Sequence, residues 1–297
     1  MRSDYMEKET FDKGIVFKNI EDFDLKHTFD CGQCFRWIEN NDGSFTGVAF
    51  KKAVRIYKKD KDIYIEGAEY NDAEFWKRYL DLNRDYKAIK DELSKDEVME
   101  KAIKYGWGIR ILNQDMFETV ISFIISANNR IPMIKRTIEN ICREYGDVIE
   151  LSGKKYYTFP SPKELAKANI KDLENLGCGF RAKYIVDTTK DILNGACDLD
   201  SIRKLDTDDA QRELMKLKGI GPKVADCILL FSMGKHDAFP VDVWVKRVMQ
   251  YFYLAPDVSL KKIRDFARKK FGNYAGFAQE YLFYYAREFM GREGLSK

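Results

Sequence analysis

The sequence predicts an α+β protein: an N-terminal antiparallel β-sheet subdomain followed by a mostly α-helical domain. Three observations predict it. Apolar and polar residues alternate with period two across residues 35–68, as strands with one buried face require. From Asn113 onward nearly every apolar spacing is helical. Between two of the late helices lies the Gly-x-Gly turn Gly219-Ile220-Gly221.

In order along the chain, "CFRWIE" and "SFTGVAF" flank Asn40-Asn41-Asp42-Gly43, a strong hairpin signal. "AVRIYKK" and "DIYIEGA" extend the sheet, and helical periodicity begins at "NDAEFWKRYLDL". "NQDMFETVISFIISANN" is predicted as a helix capped by Asn113, apolar almost all round and therefore buried, stopping at Asn128 and Asn129. "RIPMIKRTIENICREYG" has Pro132 near its start and Gly146 past its end, the expected asymmetry of a helix. "SPKELAKANIKDLENLGCGFRAKYIVDTTKDIL" predicts two helices joined at Gly177-Cys178-Gly179, and "DTDDAQRELMKLKGIGPKVADCILLF" two more joined at Gly219-Ile220-Gly221. The predicted units are residues 1–112 and 113–297.

An apolar fraction of 45% with 14% aromatics predicts a folded protein. A formal charge of +3 is too small to announce a nucleic-acid binder, so any basic footprint is local. No apolar run reaches the roughly 18 residues of a membrane span and no targeting signal is visible, which predicts a cytoplasmic, soluble and monomeric protein without membrane contact. Six cysteines, at 31, 34, 142, 178, 197 and 227, are expected as free thiols. "CGQC" suggests redox or metal chemistry, but with no second such pair and only two histidines a zinc site has no support.

A glycine turn feeding a helix N-terminus presents amides that no intrahelical carbonyl satisfies, and so suits an anion such as a phosphate. Gly219 and Gly221 permit the turn, and Pro222 starts the helix without wasting a donor. Spacing alone leaves open a turn that merely joins two helices. Lys223, one residue further in, is oddly placed, because the positive end of the helix dipole opposes its charge.

"LKGIGPKVADCILLF" followed by "AFPVDVWVKRV" resembles the helix-hairpin-helix, Gly/Pro-rich loop and aspartate signature of the DNA glycosylase superfamily, with 19 residues from Lys223 to Asp242. No cysteine follows Cys227, which excludes the iron–sulfur branch, and Lys223 argues against the alkylpurine branch. "CGQCFRW", "GIRILNQDMFETVISFIISANN", "LGCGFRAKYI" and "GNYAGFAQEYLF" resemble the 8-oxoguanine DNA glycosylase family, in order across almost the whole chain.

The resemblance implies a helix-hairpin-helix glycosylase domain, duplex DNA containing 8-oxoguanine as partner, and no required cofactor, with a structural monovalent cation possible at the hairpin. It makes Lys223 the nucleophile and Asp242 the carboxylate of the catalytic centre. A protonated lysine must lose its proton before it attacks C1′ of a flipped nucleotide. Gly32 would offer its carbonyl to N7–H of the lesion, Gln279 would bond the Watson–Crick edge, and Phe283 and Cys227 would flank the base. Asn128 would fill the vacated space, Phe180 would wedge, and Arg181 would read the opposite base. Gly219, Gly221 and Val224 would hold phosphates.

Three positions depart from the better-known members. Met133 stands in place of a second arginine that reads cytosine, Trp244 in place of a histidine, and Phe180 in place of a tyrosine. Weak preference for cytosine opposite the lesion is therefore expected, with Arg130 near enough to compensate. Two alternatives remain at this point: a glycosylase for another damaged purine, and a non-catalytic DNA-binding protein using the hairpin alone.

Overall fold

A computed structural model describes residues 8–287. Six strands, β1 (Lys8–Phe11), β2 (Gly14–Phe17), β3 (Trp37–Glu39), β4 (Phe45–Ala49), β5 (Lys52–Lys59) and β6 (Asp62–Glu66), form one antiparallel sheet in the order β1-β2-β6-β5-β4-β3. The register explains the alternation. Ile15, Ile65, Ile56 and Phe45 lie side by side across four strands, and all four are buried. The predicted hairpin turn closes through Asn40 N–H to the Ser44 carbonyl at 2.7 Å and Gly43 N–H to the Asn40 carbonyl at 3.0 Å.

Strands β1 and β2 lie outside the sequence-predicted set. Each is four residues long, too short for alternation to register, and only the intervening Asp12-Lys13 turn marks the pair. The short hairpin of β7 (Val148–Leu151) and β8 (Lys154–Tyr157) was hidden for the same reason.

Two expectations need correction. The buried helix runs Met116–Ser126 and its cap is Asp115, whose carboxylate accepts from Glu118 N–H at 2.9 Å. Asn113 instead donates its side-chain amide to the Arg78 carbonyl at 2.8 Å, which ties it into the extended connection upstream. The "SPKELAKANIKDLENLG" stretch is not one helix but two, Pro162–Leu165 and Ile170–Asn175, because Asn169 and Asp172 form a capping box that starts the chain afresh. Helix Ala182–Leu193 then follows the 3-10 turn Gly179–Arg181.

Two cores result. Trp37, Val54, Ile63 and Trp76 fill the space behind the sheet, and the helical core is built around Ile121, Ile124, Ile138, Ile228, Leu229 and Phe277. Helices Tyr86–Leu93 and Glu97–Tyr105 pack their buried faces into the helical core, as do Cys31 and Phe35.

Gln33 fixes the loop that joins the two cores. Its side chain is wholly buried, donating to the carbonyls of Thr28 at 2.9 Å and Arg110 at 2.7 Å and accepting from Leu112 N–H at 2.8 Å. With these bonds made, the backbone at Gly32 has little freedom to move.

All six cysteines are buried and free, and those of "CGQC" pack in separate cores. Among the described residues no group of three or more His, Cys, Asp or Glu could hold a metal. No described helix is long and apolar enough to cross a membrane.

Candidate active site

A cleft of about 1210 Å³ is lined by Gly32, Asn128, Gly219, Gly221, Lys223, Val224, Cys227, Asp242, Gln279 and Phe283. Ten of the thirteen sequence-predicted site residues thus share one cavity. Met133, Phe180 and Arg181 do not line it.

Helix Pro222–Ser232 carries the lysine, with Gly221 as its N-cap and Pro222 in its first turn. Its partner across the turn is helix Thr207–Leu214. Gly219 has φ +85°, and a Cβ there would come within 2.7 Å of the Tyr184 ring, so the turn needs glycine for conformation and for space.

Asp226 anchors this helix from behind. Its buried carboxylate accepts a paired interaction from Arg264, at 2.7 and 3.1 Å, and a further bond from Gln211 at 2.8 Å. The arrangement holds a buried charge only because every oxygen is satisfied.

Lys223 reaches into the cleft with Nζ 5.2 Å from the centre of the Phe123 ring. Among the described residues, no carboxylate stands within ion-pairing distance of it. Asp242 is the N-cap of helix Val243–Phe252 and accepts from Val245 N–H at 2.8 Å. Burial raises its carboxyl above the ordinary aspartate value, while the Val245 amide and the Lys223 charge pull it back. Lys223 and Asp242 therefore both stand at helix starts.

Cys227 sits one turn beyond Lys223, and burial pushes its thiol up to about 12, so it is neutral. A neutral sulfur beside the lysine is a packing surface and not a nucleophile.

The residues expected to read the base converge from two directions. Helix Ala275–Tyr285 presents Gln279 and, one turn on, Phe283. Gln279 is buried, and its Oε1 has no hydrogen-bond partner. A buried acceptor left empty is costly, which makes it suited to a donor brought by a ligand. Gly32 meets this helix: its φ is +102°, and a Cβ there would lie 3.0 Å from Phe283 Cε1.

Gly32→Ala should lower stability by about 1–2 kcal/mol, because the backbone is left-handed there, and should push the Phe283 ring from its seat. Denaturant unfolding measures the first effect. The second should appear as at least tenfold weaker binding to a lesion-containing duplex.

At the mouth, Asn128 holds a left-handed backbone with φ +51°, a conformation asparagine tolerates. Arg181 is buried and fixes that turn, donating to the Ala127 carbonyl at 2.9 and 2.6 Å and to the Asn128 carbonyl at 2.9 Å. Phe180 and Met133 are 63% and 45% exposed, so both present large apolar side chains to solvent. Trp244 lines the cleft itself.

Among the lining residues that the sequence reading did not single out is Glu280, 2% exposed, whose only signal is an acid inside the apolar run "AQEYLFYY".

A helix-hairpin-helix joined to a lysine–aspartate cleft defines a class, and residues 121–273 match the family described as HhH-GPD superfamily base excision DNA repair protein. Residues 15–120 match the 8-oxoguanine DNA glycosylase N-terminal domain, and the chain belongs to the 8-oxoguanine DNA glycosylase family.

Clostridium acetobutylicum 8-oxoguanine glycosylase/lyase, solved in complex with double-stranded DNA containing cytosine opposite 8-oxoguanine, is 51% identical. The match covers 95% of this chain and 98% of that one with a TM-score of 0.94. A probable N-glycosylase/DNA lyase of Methanothermobacter thermautotrophicus is 37% identical over 65% of this chain and 68% of its own. The N-glycosylase/DNA lyase of Saccharomyces cerevisiae is 37% identical over 63% of this chain, which spans 58% of that longer relative.

Proposed function

We propose that the protein is a bifunctional DNA glycosylase that flips 8-oxoguanine out of duplex DNA, excises it, and nicks the strand by β-elimination. The carrying observation is that Lys223 and Asp242 share one cleft with Gly32, Gln279 and Phe283. A non-catalytic DNA binder would have no use for that pair.

Flipping costs a few kcal/mol, which contacts at the cleft must offset. The hairpin amides at Gly219, Gly221 and Val224 grip phosphate, Asn128 occupies the vacated space, and exposed Phe180 wedges the stack. The flipped base brings N–H donors to the empty Oε1 of Gln279 and stacks on Phe283.

8-Oxoguanine differs from guanine at N7, which carries a hydrogen only in the lesion. The Gly32 carbonyl accepts that hydrogen and meets a lone pair on guanine.

The neutral Lys223 amine attacks C1′ as the base departs with the glycosidic electron pair. The Asp242 carboxylate stabilises positive charge on the sugar. Ring opening gives a Schiff base, and loss of a proton from C2′ cuts the strand on the 3′ side.

The reaction needs no cofactor. The hairpin turn supplies main-chain carbonyls and no carboxylate, a donor set that fits a weakly held monovalent cation in a structural role. The enzyme would act as a cytoplasmic monomer, nucleoid-associated in a bacterium.

Met133 cannot donate a hydrogen bond to an opposite cytosine, and Arg181 spends its donors on the Asn128 turn. Excision rates opposite the four bases should therefore differ by less than about tenfold, since one lost hydrogen bond is worth about 1 kcal/mol. Met133→Arg should raise the rate opposite cytosine selectively. Incubation with a duplex carrying one 8-oxoguanine tests the whole reading: a nicked strand and free base are expected, and an intact strand would overturn it.

A further inference from the structure

Phe180 is 63% exposed and yet is held on two sides. The Arg181 guanidinium lies over one face, 4.4 Å from the ring centre, and the Tyr184 ring meets it edge-on, with centres 6.3 Å apart and planes at 83°. Both neighbours are themselves held. Arg181 is fixed by its bonds to the Ala127 and Asn128 carbonyls. Tyr184 packs under the glycine turn: a Cβ on Gly219 would stand 2.7 Å from its Cγ and Cδ2 and 2.8 Å from its Cβ. One turn further along the same helix, Asp187 accepts from Lys218 at 3.0 Å, so the turn is tied to helix Ala182–Leu193 at two points.

An exposed aromatic side chain with nothing around it samples several rotamers and loses that freedom on entering a base stack. Here the ring is already oriented, by a cation on its face and a second ring at its edge.

We propose that Tyr184 is a positioning residue that sets the wedge Phe180 at a fixed distance from the phosphate-gripping turn, so that seating a phosphate on the hairpin drives the ring into the base stack. This rests on the DNA contacts proposed above and adds the part that couples two of them. The coupling needs the ring of Tyr184 and not its hydroxyl, because ring and Cβ atoms make both contacts.

The test uses duplexes with 2-aminopurine beside the lesion, whose fluorescence rises when the stack opens whether or not a base is cut out. Tyr184→Leu keeps apolar bulk under Gly219 and removes the edge contact. It should lose most of the fluorescence rise and should release 8-oxoguanine from a paired duplex about tenfold more slowly in single turnover. Nicking of an abasic duplex, where no base has to be unpaired, should stay within about twofold of the wild type. The slope of binding against salt, which counts phosphate contacts, should not change. Tyr184→Phe should match the wild type throughout. In a Phe180→Ala background Tyr184→Leu should add less than about twofold, since the wedge it supports is gone.

Abasic nicking slowed as much as excision, a full tenfold loss in the Phe180→Ala background, or no loss at all would each overturn the proposal. If Tyr184→Leu fails to fold, Tyr184→Met, which fills the same space with a flexible chain, is read in the same way. If the wild type leaves 8-oxoguanine in place but opens the stack and nicks an abasic duplex, the substrate reading fails, and Tyr184→Leu is judged by the fluorescence on that duplex. A wild type that opens neither duplex overturns both.

Discussion

Lys223→Gln should give a folded protein that forms no borohydride-trapped adduct, does not nick an abasic duplex, and releases 8-oxoguanine at least about a thousandfold more slowly. The expectation follows from where the residue stands. Lys223 makes no ion pair with any described residue and touches the aromatic face of Phe123, so its removal leaves no partner stranded. Its charge opposes the dipole at the start of helix Pro222–Ser232, and loss of the charge should leave stability unchanged or raise it by up to about 1 kcal/mol. Thermal unfolding beside the trapping assay separates loss of chemistry from loss of fold. Binding to lesion-containing DNA should persist, because the glycines of the hairpin are untouched.

Asp242→Asn should slow base excision by roughly a hundredfold to a thousandfold while leaving stability within about 0.5 kcal/mol of the wild type. On the proposed mechanism Asp242 has two tasks, and the substitution divides them. Its side chain caps helix Val243–Phe252 through Val245 N–H at 2.8 Å, a bond an asparagine oxygen makes equally well. Its charge is what the developing cation on the sugar requires, and asparagine has none. Asp242→Ala removes both and should cost about 1 kcal/mol in addition. An asparagine variant that kept wild-type rates would show that the residue only caps. Denaturant unfolding and single-turnover rates together read the two tasks.

The sequence made the centre of this site legible because its residues sit where local rules are strongest. Gly219, Gly221 and Pro222 are punctuation whose meaning is set by backbone geometry, and the 19-residue interval to Asp242 ties two helix starts together. Gln279 and Phe283 lie one turn apart on a helix, and the structure sets Phe283 against Gly32 and all three in one cleft.

What stayed hidden depends on contacts distant in the chain. The role of Gln33 in holding the Gly32 loop needs Arg110 and Leu112, nearly eighty residues away. Glu280 reads as a polar interruption in an apolar run until the fold sets it, buried, in the wall of the cleft. Arg181 was expected at the DNA, yet a buried guanidinium must satisfy its donors, and the carbonyls of Ala127 and Asn128 are the acceptors beside it. Strands β1 and β2 were too short to show a period, and one capping box at Asn169 divided a helix whose apolar spacing runs on without a break.

On the proposed mechanism the Lys223 amine becomes covalently bound to the sugar of the excised nucleotide. Borohydride reduction of the protein on a duplex with a single 8-oxoguanine, followed by digestion and mass spectrometry of the DNA-linked peptide, tests it most directly. The predicted result is one adduct, on the peptide containing Lys223, appearing with the free base. Base release without any adduct, or an adduct on a different amine, would contradict it.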